Sequence, residues 1–579
     1  MPDTLQSRIE PLLPRVQKPG RYIGHEVNAI PPQPEGDTDR RFVIAFGDIY
    51  DIGMSCEGLQ IVYHLVNDTV DGWRAERAFL PWPDMIDELR ANDLPLYSLE
   101  SVRSLRECDV LAFTLQYEMG YTGALEMLDL AGIPLRSADR TNDDPIVIAG
   151  GPGAATPEPM APFIDVFVPG DAEATLPGVL RALDASADRP RDERLLDLAR
   201  AREHVYVPSL YECRYGDDGT LLEIAAREVG LPPRIVSGFV QSLDEAPYPT
   251  RPVVPYVDTV HDRYSIEIMR GCPNVCRFCQ AMNVKSPLRL RSVDRIVELA
   301  EAGYAGTGHS EISLLGLSVG DYPHMAELLP RLRKIFDPLK VNISVPSLRV
   351  EKVLRELPSE IASVRKSGLT IAPEAARQAM RERIGKRITD ENLFSGIDAA
   401  FGAGWDTVKL YFMIGLPGET DEDVDAIVEL SGRVARRRKE LGVKGGPAKV
   451  NVSVANFIPK PHTAFEREPM ADADYLNNAQ RRIMDRNRPK SVKISRHHVT
   501  RSRIEALLCR GDRRVADVIE GAWRRGSRLD SWDDFFDVTR WDEAMAESGV
   551  DIAFYISRPY SEDEVLPWSI VEIPRGMRR

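Results

Sequence analysis

The sequence predicts an α/β protein with three parts: an N-terminal doubly wound parallel sheet, a partial barrel of six βα units, and a mainly helical C-terminal extension. Three observations predict it. Short apolar runs such as "RFVIAFGDIY", "DVLAFTLQY" and "PIVIAGG" alternate with helix-patterned stretches such as "GLQIVYHLVN" and "TGALEMLDLAG". They recur at roughly 30-residue intervals, the length of a strand–crossover–strand unit. The same alternation restarts after the proline-rich "PYPTRPVVPY" and runs through six further strand patterns. The chain has 579 residues, of which 43% are hydrophobic and 28% charged, enough to build several ordinary globular domains.

Taken in order, residues 1–38, with "PPQPEGD", read as a partly extended leader. Residues 39–185 form the doubly wound unit, whose ligands are expected at the carboxyl ends of the strands. Those ends carry Gly47-Asp48, Gly150-Gly151-Pro152 and Gly170-Asp171, which serve equally well as tight turns. Residues 186–257 form a linker. It holds a helix, "RDERLLDLARA", and a hairpin turned at Asp217-Asp218-Gly219. Residues 258–482 supply the barrel strands "YSIEIMRG", "EISLLGLS", "VNISVPSLR", "KSGLTIAPE", "DTVKLYFMIGLP" and "KVNVSVANFIP". Chemistry in such barrels sits on the loops after the strands. Residues 483–579 are the helical extension.

A net charge of −15 argues against a general nucleic-acid binder. Basic stretches near 435, 488 and 510 leave room for a local groove, which we do not favour. The first residues lack the basic start and apolar core of a signal peptide, and no run of eighteen apolar residues occurs, so no membrane association is expected. Seven cysteines in a chain of this length do not make a disulfide framework, and the expected compartment is the reducing cytoplasm.

Three of those cysteines crowd into "GCPNVCRFCQ" directly after the first barrel strand. Cys272, Cys276 and Cys279 form a soft-metal ligand set. Cys56, Cys108, Cys213 and Cys509 are scattered and supply no fourth ligand by spacing. Three thiolates on a cubane [4Fe–4S] cluster leave one iron open for another molecule. The competing reading is a zinc knuckle completed by a distant histidine.

"CPNVCRFC" resembles the C-x3-C-x-aromatic-C signature of the radical S-adenosylmethionine (radical SAM) superfamily, and the whole chain resembles members with an N-terminal cobalamin-binding-like domain. The resemblance implies a [4Fe–4S] cluster on the three cysteines and SAM chelated to the open iron. Reductive cleavage of SAM then gives methionine and a 5′-deoxyadenosyl radical that takes hydrogen from substrate. It also implies a reducing electron donor of the flavodoxin or ferredoxin type. By resemblance, Phe278 lies near adenine. A family "GGE"-like turn is replaced here by "LLGLSVGDY", making Ser318 and Asp321, with Leu317, the candidates for the methionine amino group. Ser347 and Arg349 follow the third strand and Glu374 the fourth. Gly415, Pro417 and Gly418 end the fifth, and Asn456, with Phe457, ends the sixth.

Cobalamin-binding domains of this kind carry Asp-x-His-x-x-Gly after the first strand. In "DIYDIG", Asp48 and Gly53 fit, while Tyr50 stands in the histidine position; Thr114, Gly150 and Gly151 match the later elements. A phenol is a poor cobalt ligand beside imidazole. Two outcomes follow: cobalamin without a protein ligand beneath the metal, or a domain that keeps the fold and has lost the cofactor. With cobalamin the expected reaction is methyl transfer. The alternatives are a methylthiotransferase-like enzyme modifying tRNA or another RNA, and a non-catalytic iron–sulfur protein.

Overall fold

The structure is a computed structural model that describes residues 4–32, 40–345, 369–486 and 488–574. Ser347 and Arg349 lie outside the described residues. The N-terminal sheet has five parallel strands: β1 (Arg40–Phe46), β2 (Trp73–Phe79), β3 (Val110–Thr114), β4 (Ile146–Gly150) and β5 (Val166–Phe167), in the order β2-β1-β3-β4-β5. β3, β4 and β5 are nearly continuous apolar runs because helices cover both faces, whereas β2 carries Arg74, Glu76 and Arg77. Val43, Val110, Ile146 and Val166 are all fully buried. The strand order reverses between β1 and β3, which places the ligand crevice of such a sheet between their carboxyl ends.

The segment before β1 is packed rather than loose. Ile9, Leu12 and Val16 are buried in the same core. Glu26 pairs with Arg77 at 2.6 Å, and Arg77 also holds Glu100 at 2.6 Å, all three out of contact with water. Unpairing such a buried charge costs about 3–5 kcal/mol, so this triad fastens the leader to β2.

The expected hairpin pairs β6 (Tyr211–Tyr215) with β7 (Leu221–Ala226), and Gly219 supplies the left-handed turn residue at φ 82°. A short β8 (Ile235–Val236) pairs with a strand from the far end of the chain. The second unit contains two arcs of parallel strands. One arc holds β9 (Tyr264–Glu267), β12 (Glu311–Leu315) and β13 (Asn342–Ser344). The other holds β14 (Leu369–Glu374), β15 (Thr407–Ile414), β16 (Lys449–Asn456) and β17 (Val492–Arg496). Between β9 and β12 a small antiparallel pair, β10 (Met269–Arg270) with β11 (Arg289–Leu290), brackets the cysteine loop. All six expected barrel strands are present, and β17 adds a seventh beside β16. The last strand, β18 (Val571–Glu572), returns to β8. No helix among the described residues is long and apolar enough to cross a membrane.

The C-terminal helices fold back onto the N-terminal unit. Trp523 donates its indole N–H to Glu126 at 2.8 Å, and Arg528 pairs with the same carboxylate at 2.7 Å. Thr122 and the buried Asp530 join at 2.9 Å.

Candidate functional site

The cysteine loop begins where Gly271 turns the chain at φ 88°. A Cβ there would lie 2.9 Å from both the Leu288 backbone and the Lys285 carbonyl, so only glycine fits. Cys276 is buried, and Cys272 and Cys279 are half-buried. Burial raises the Cys279 thiol pKa, and the neighbouring Cys272 adds to the effect while Lys386 opposes it. Among the described residues no three His, Cys, Asp or Glu side chains are gathered closely enough to hold a metal ion as they stand, the three loop cysteines included. The three cysteines lie on the loop after the first barrel strand, and three thiolates are the residue type that a cubane cluster with one open corner takes.

The loop is fixed to both arcs. Toward β12, the Asn274 side-chain amide donates to Cys272 Sγ (3.3 Å), Asp321 Oδ2 (3.0 Å) and, weakly, Ser318 Oγ (3.4 Å). Ser318 itself donates to Asp321 at 2.7 Å. The two candidates on the turn after β12 thus converge with Cys272 through Asn274, a residue the sequence reading passed over. Toward β14, the Arg277 amide donates to the Ile384 carbonyl at 2.9 Å, and a Cβ on Gly385 would meet the Val275 carbonyl at 2.5 Å. Arg277 also lies over the Phe465 ring, 4.7 Å from its centroid.

Glu374, at the end of β14, has a left-handed backbone at φ 68° and faces Lys386 at 3.6 Å. Burial raises its carboxyl pKa and Lys386 pulls it back. A non-glycine residue held in that region marks stored strain at a site the surroundings dictate. Phe278 packs with Ala375, Ile384, Leu416 and Phe457 in one apolar cluster, flanked by Met413. Of the residues expected near adenine, Phe278 and Phe457 thus share one cluster, joined by Leu416, which the sequence reading did not single out.

Other candidates are engaged differently. The Gly415 amide is taken by Glu419 at 2.7 Å, and Tyr475 donates to the same carboxylate oxygen at 2.8 Å. Burial pushes the Glu419 pKa up to about 7. Gly418 lies beneath the Arg383 guanidinium, with Pro417 half-buried beside it. Asn456 is buried and spends its amide on Ser502 (3.0 Å), Gln480 (3.0 Å) and the His497 carbonyl (3.3 Å). In this structure it braces β16 against the C-terminal helices rather than facing the barrel mouth.

The N-terminal unit holds the start of the loop. Arg270, two residues before Cys272, pairs with Asp171 (3.0 Å), Glu173 (2.8 Å) and Glu267 (2.7 Å). Burial alone would raise the Asp171 carboxyl pKa, but Arg270 and Arg289 hold it below its usual range.

Of the expected cobalamin residues, Thr114 and Gly150 are register partners on β3 and β4, and Gly151 follows at φ 83°. Gln116 donates to the Thr114 hydroxyl at 2.6 Å. Tyr50 is turned into the core and donates to Glu26 at 2.7 Å. Gly53 sits against Phe79, where a Cβ would approach to 2.4 Å. Asp48, on the crevice between β1 and β3, accepts from the Ile49 amide (2.7 Å), Tyr117, Ser531 (3.0 Å) and the Trp532 indole (3.1 Å). Trp532 and Phe535 pack edge-on against Trp82, at 5.6 and 5.2 Å. The residue at the histidine position, Tyr50, is buried and bonded to Glu26, so it would not be available as a ligand to a cobalt. The engagement of the crevice by residues 531–535 has no signal in the local sequence.

Residues 58–208 match the family model for the N-terminal region of radical SAM proteins, and residues 266–431 match the radical SAM superfamily model. An uncharacterized protein of Methanocaldococcus jannaschii is 28% identical over 75% of this chain and 85% of its own length. The ribosomal protein uS12 methylthiotransferase RimO of Myxococcus xanthus is 27% identical over 33% of this chain. The tRNA-2-methylthio-N(6)-dimethylallyladenosine synthase of Rhodopirellula baltica is 30% identical over 29% of it. The chain spans less than half the length of either. Among solved structures, the radical SAM methyltransferase TsrM of Kitasatospora setae aligns over 74% of this chain and 76% of its own, with 16% identity and TM-score 0.46. The cobalamin-dependent radical SAM enzyme OxsB aligns over 91% and 82%, with 12% identity and TM-score 0.49. With both domain models matched in order and the three cysteines on the loop after the first barrel strand, the chain belongs to the radical SAM superfamily and is a radical SAM enzyme.

Proposed function

We propose that Cys272, Cys276 and Cys279 hold a [4Fe–4S] cluster whose open iron binds SAM, and that the enzyme starts radical chemistry on a substrate entering between the barrel and the N-terminal unit. The observation that carries this is the link from Cys272 through Asn274 to the Ser318–Asp321 turn. It joins the thiol loop to a polar group suited to an ammonium, a carboxylate at hydrogen-bonding distance of a fixed amide. Cluster and SAM together supply one-electron cleavage of a carbon–sulfur bond, yielding a carbon radical that abstracts hydrogen.

The chain's own residues do the remaining work. Asp321 and Ser318 orient the methionine amino group. Glu374, with Lys386 beside it, presents a carboxylate toward the ribose or methionine side. Phe278, Leu416 and Phe457 provide an apolar wall for the purine and keep water from the reacting carbon. Arg270, clamped by three carboxylates, fixes the entrance of the loop. The electron enters from a flavodoxin- or ferredoxin-type reductant. Tyr50 and Asp48 are committed to Glu26 and to the C-terminal segment, so a corrinoid in this unit would sit without a ligand from either residue.

Anaerobic reconstitution followed by iron counting and 5′-deoxyadenosine measurement tests the reading. Roughly four irons per chain are expected, in line with a cubane, together with SAM cleavage under a low-potential reductant. Cys276→Ala should lose both. A single tetrahedral zinc at the loop, or a cluster that never cleaves SAM, refutes the assignment.

A further inference from the structure

The barrel has an inner surface with an ordered chemistry. In the four-stranded arc, Val408, Leu410, Phe412, Val450, Val452 and Val454 are buried under the helices Asp390–Gly402 and Asp421–Glu440. The alternate residues face the other way and are exposed or half-exposed. Right-handed crossovers put the helices outside, so these alternate residues line the lumen. The strand register sorts them into rows. Thr370, Lys409, Asn451 and Lys493 are register partners across β14, β15, β16 and β17. One step up, toward the cysteine loop, Tyr411, Ser453 and Ser495 are register partners, and above them come Met413 and Ala455.

The wall therefore changes with height: small and apolar beside the thiol loop, hydroxyl-bearing in the middle, cationic below. Tyr411 is 42% exposed although it sits in mid-strand. Among the described residues neither the Lys409 nor the Lys493 ammonium is paired with a carboxylate. Neighbouring strands are ~4.8 Å apart and residues rise ~3.3 Å each, so the two lysines start ~10 Å apart with Asn451 between them, ~13 Å below the Met413–Ala455 row. On the other arc Glu311, the first residue of β12, is already held by Arg263 (3.2 Å) and Asn342 (3.1 Å). It leaves the lysines as the available charge.

We propose that this row is the anchor for the substrate. On this inference the substrate is a small polar molecule that ends in a phosphate or carboxylate held by Lys409, Asn451 and Lys493. Its hydroxyl or amide groups meet Tyr411 and Ser453, and its reacting carbon reaches the apolar top of the lumen. The inference rests on the reading of the barrel mouth as the radical-initiating site, and it adds the class of substrate.

Calorimetric titration of the anaerobically reconstituted full-length enzyme with inorganic phosphate, and separately with acetate, tests it and tells the two anion types apart. At least one should bind to the wild type. The double variant Lys409→Ala/Lys493→Ala should weaken that binding about tenfold or more, since two partly solvated charge contacts are each worth ~1 kcal/mol. Lys409→Arg/Lys493→Arg should restore much of it. Iron content and substrate-free SAM cleavage should be unchanged in the Ala variant, because neither lysine touches the cysteine loop. Failure of both anions to bind, equal binding by the Ala variant, or binding only of a six-nucleotide RNA overturns the inference. Anion binding without SAM cleavage in the wild type instead overturns the proposed reaction and leaves the anchor standing.

Discussion

Replacing Asn274 by leucine, close to it in volume and without polar atoms, isolates the connection between the cysteine loop and the Ser318–Asp321 turn. The substitution removes an N–H to Cys272 Sγ at 3.3 Å and another to Asp321 Oδ2 at 3.0 Å. A hydrogen bond to a charged group is worth about 1.5–3 kcal/mol. Asp321 keeps its 2.7 Å bond from Ser318, and Asn274 and Asp321 are themselves only half-buried, so water replaces part of the loss and the lower end applies. At ~1.4 kcal/mol per decade, about a tenfold weakening of SAM binding is expected. Loss of the N–H to the ligating sulfur should also lower the cluster's reduction potential, since hydrogen bonds to cluster sulfurs are among its determinants. SAM titration followed by the electron paramagnetic resonance spectrum of the reduced cluster reads the first effect, and redox titration the second. Iron content should stay at the wild-type level. Wild-type affinity and potential together in Asn274→Leu would refute the connection, and loss of iron with both would reduce Asn274 to a loop brace.

Two further predictions concern the scaffold. Trp532→Ala deletes the indole bond to Asp48 and the edge contact with Trp82, worth together about 2–3 kcal/mol at a half-buried site. Hydrogen exchange should accelerate through residues 523–545 while iron content holds; unchanged protection there would mean that the segment is held by its helices alone. Glu419, pushed up to about 7 by burial, titrates well above a carboxylate in the unfolded chain, so the native state binds the extra proton. Its contribution to stability is therefore full below about pH 4.3 and is lost as pH rises to about 7. Glu419→Gln keeps an oxygen for Gly415 and Tyr475, and its melting temperature relative to wild type should rise between pH 5 and pH 8. A difference that is flat with pH would refute the buried-carboxylate account.

Where the sequence was legible, periodicity and spacing carried the information. Val408, Leu410, Phe412 and Ile414 alternate with Lys409, Tyr411 and Met413, a period of two that identifies a half-covered strand whatever its neighbours are. The thiol spacing gave the loop its chemistry for the same reason: three soft ligands within eight residues need no tertiary knowledge. Legibility failed where a side chain's partner is distant. Tyr50 occupies the histidine position in the motif, yet its direction is decided by Glu26, which Arg77 has fixed from another strand. Asn456 sits at a strand end facing the mouth in sequence terms, but Ser502 and Gln480 claim it from the C-terminal helices. Gly415 reads as room for a ligand, while its amide belongs to Glu419 and its Cβ position to Leu476. Asn274 was available in the quoted loop and was missed because an amide between cysteines has no periodic signature.

The N-terminal unit makes the same point about which link of the chain decides function. A sheet ordered β2-β1-β3-β4-β5 ordinarily offers a ligand the gap between β1 and β3. Here a ligand approaching Asp48 must lift Ser531 and Trp532 and part Trp82 from Trp532 and Phe535. Two hydrogen bonds and two aromatic contacts amount to about 3–5 kcal/mol, which lowers the apparent affinity of any such ligand by about two to four orders of magnitude. The opposite edge of the same sheet is under a different demand. Asp171 and Glu173, just past β5, reach across to Arg270 and so set the direction in which the chain enters the cysteine loop. This sheet has its crevice covered, and its strand-end carboxylates Asp171 and Glu173 grip Arg270 of the neighbouring barrel. The thiol loop then owes its geometry to the N-terminal strand ends as much as to the barrel that carries it.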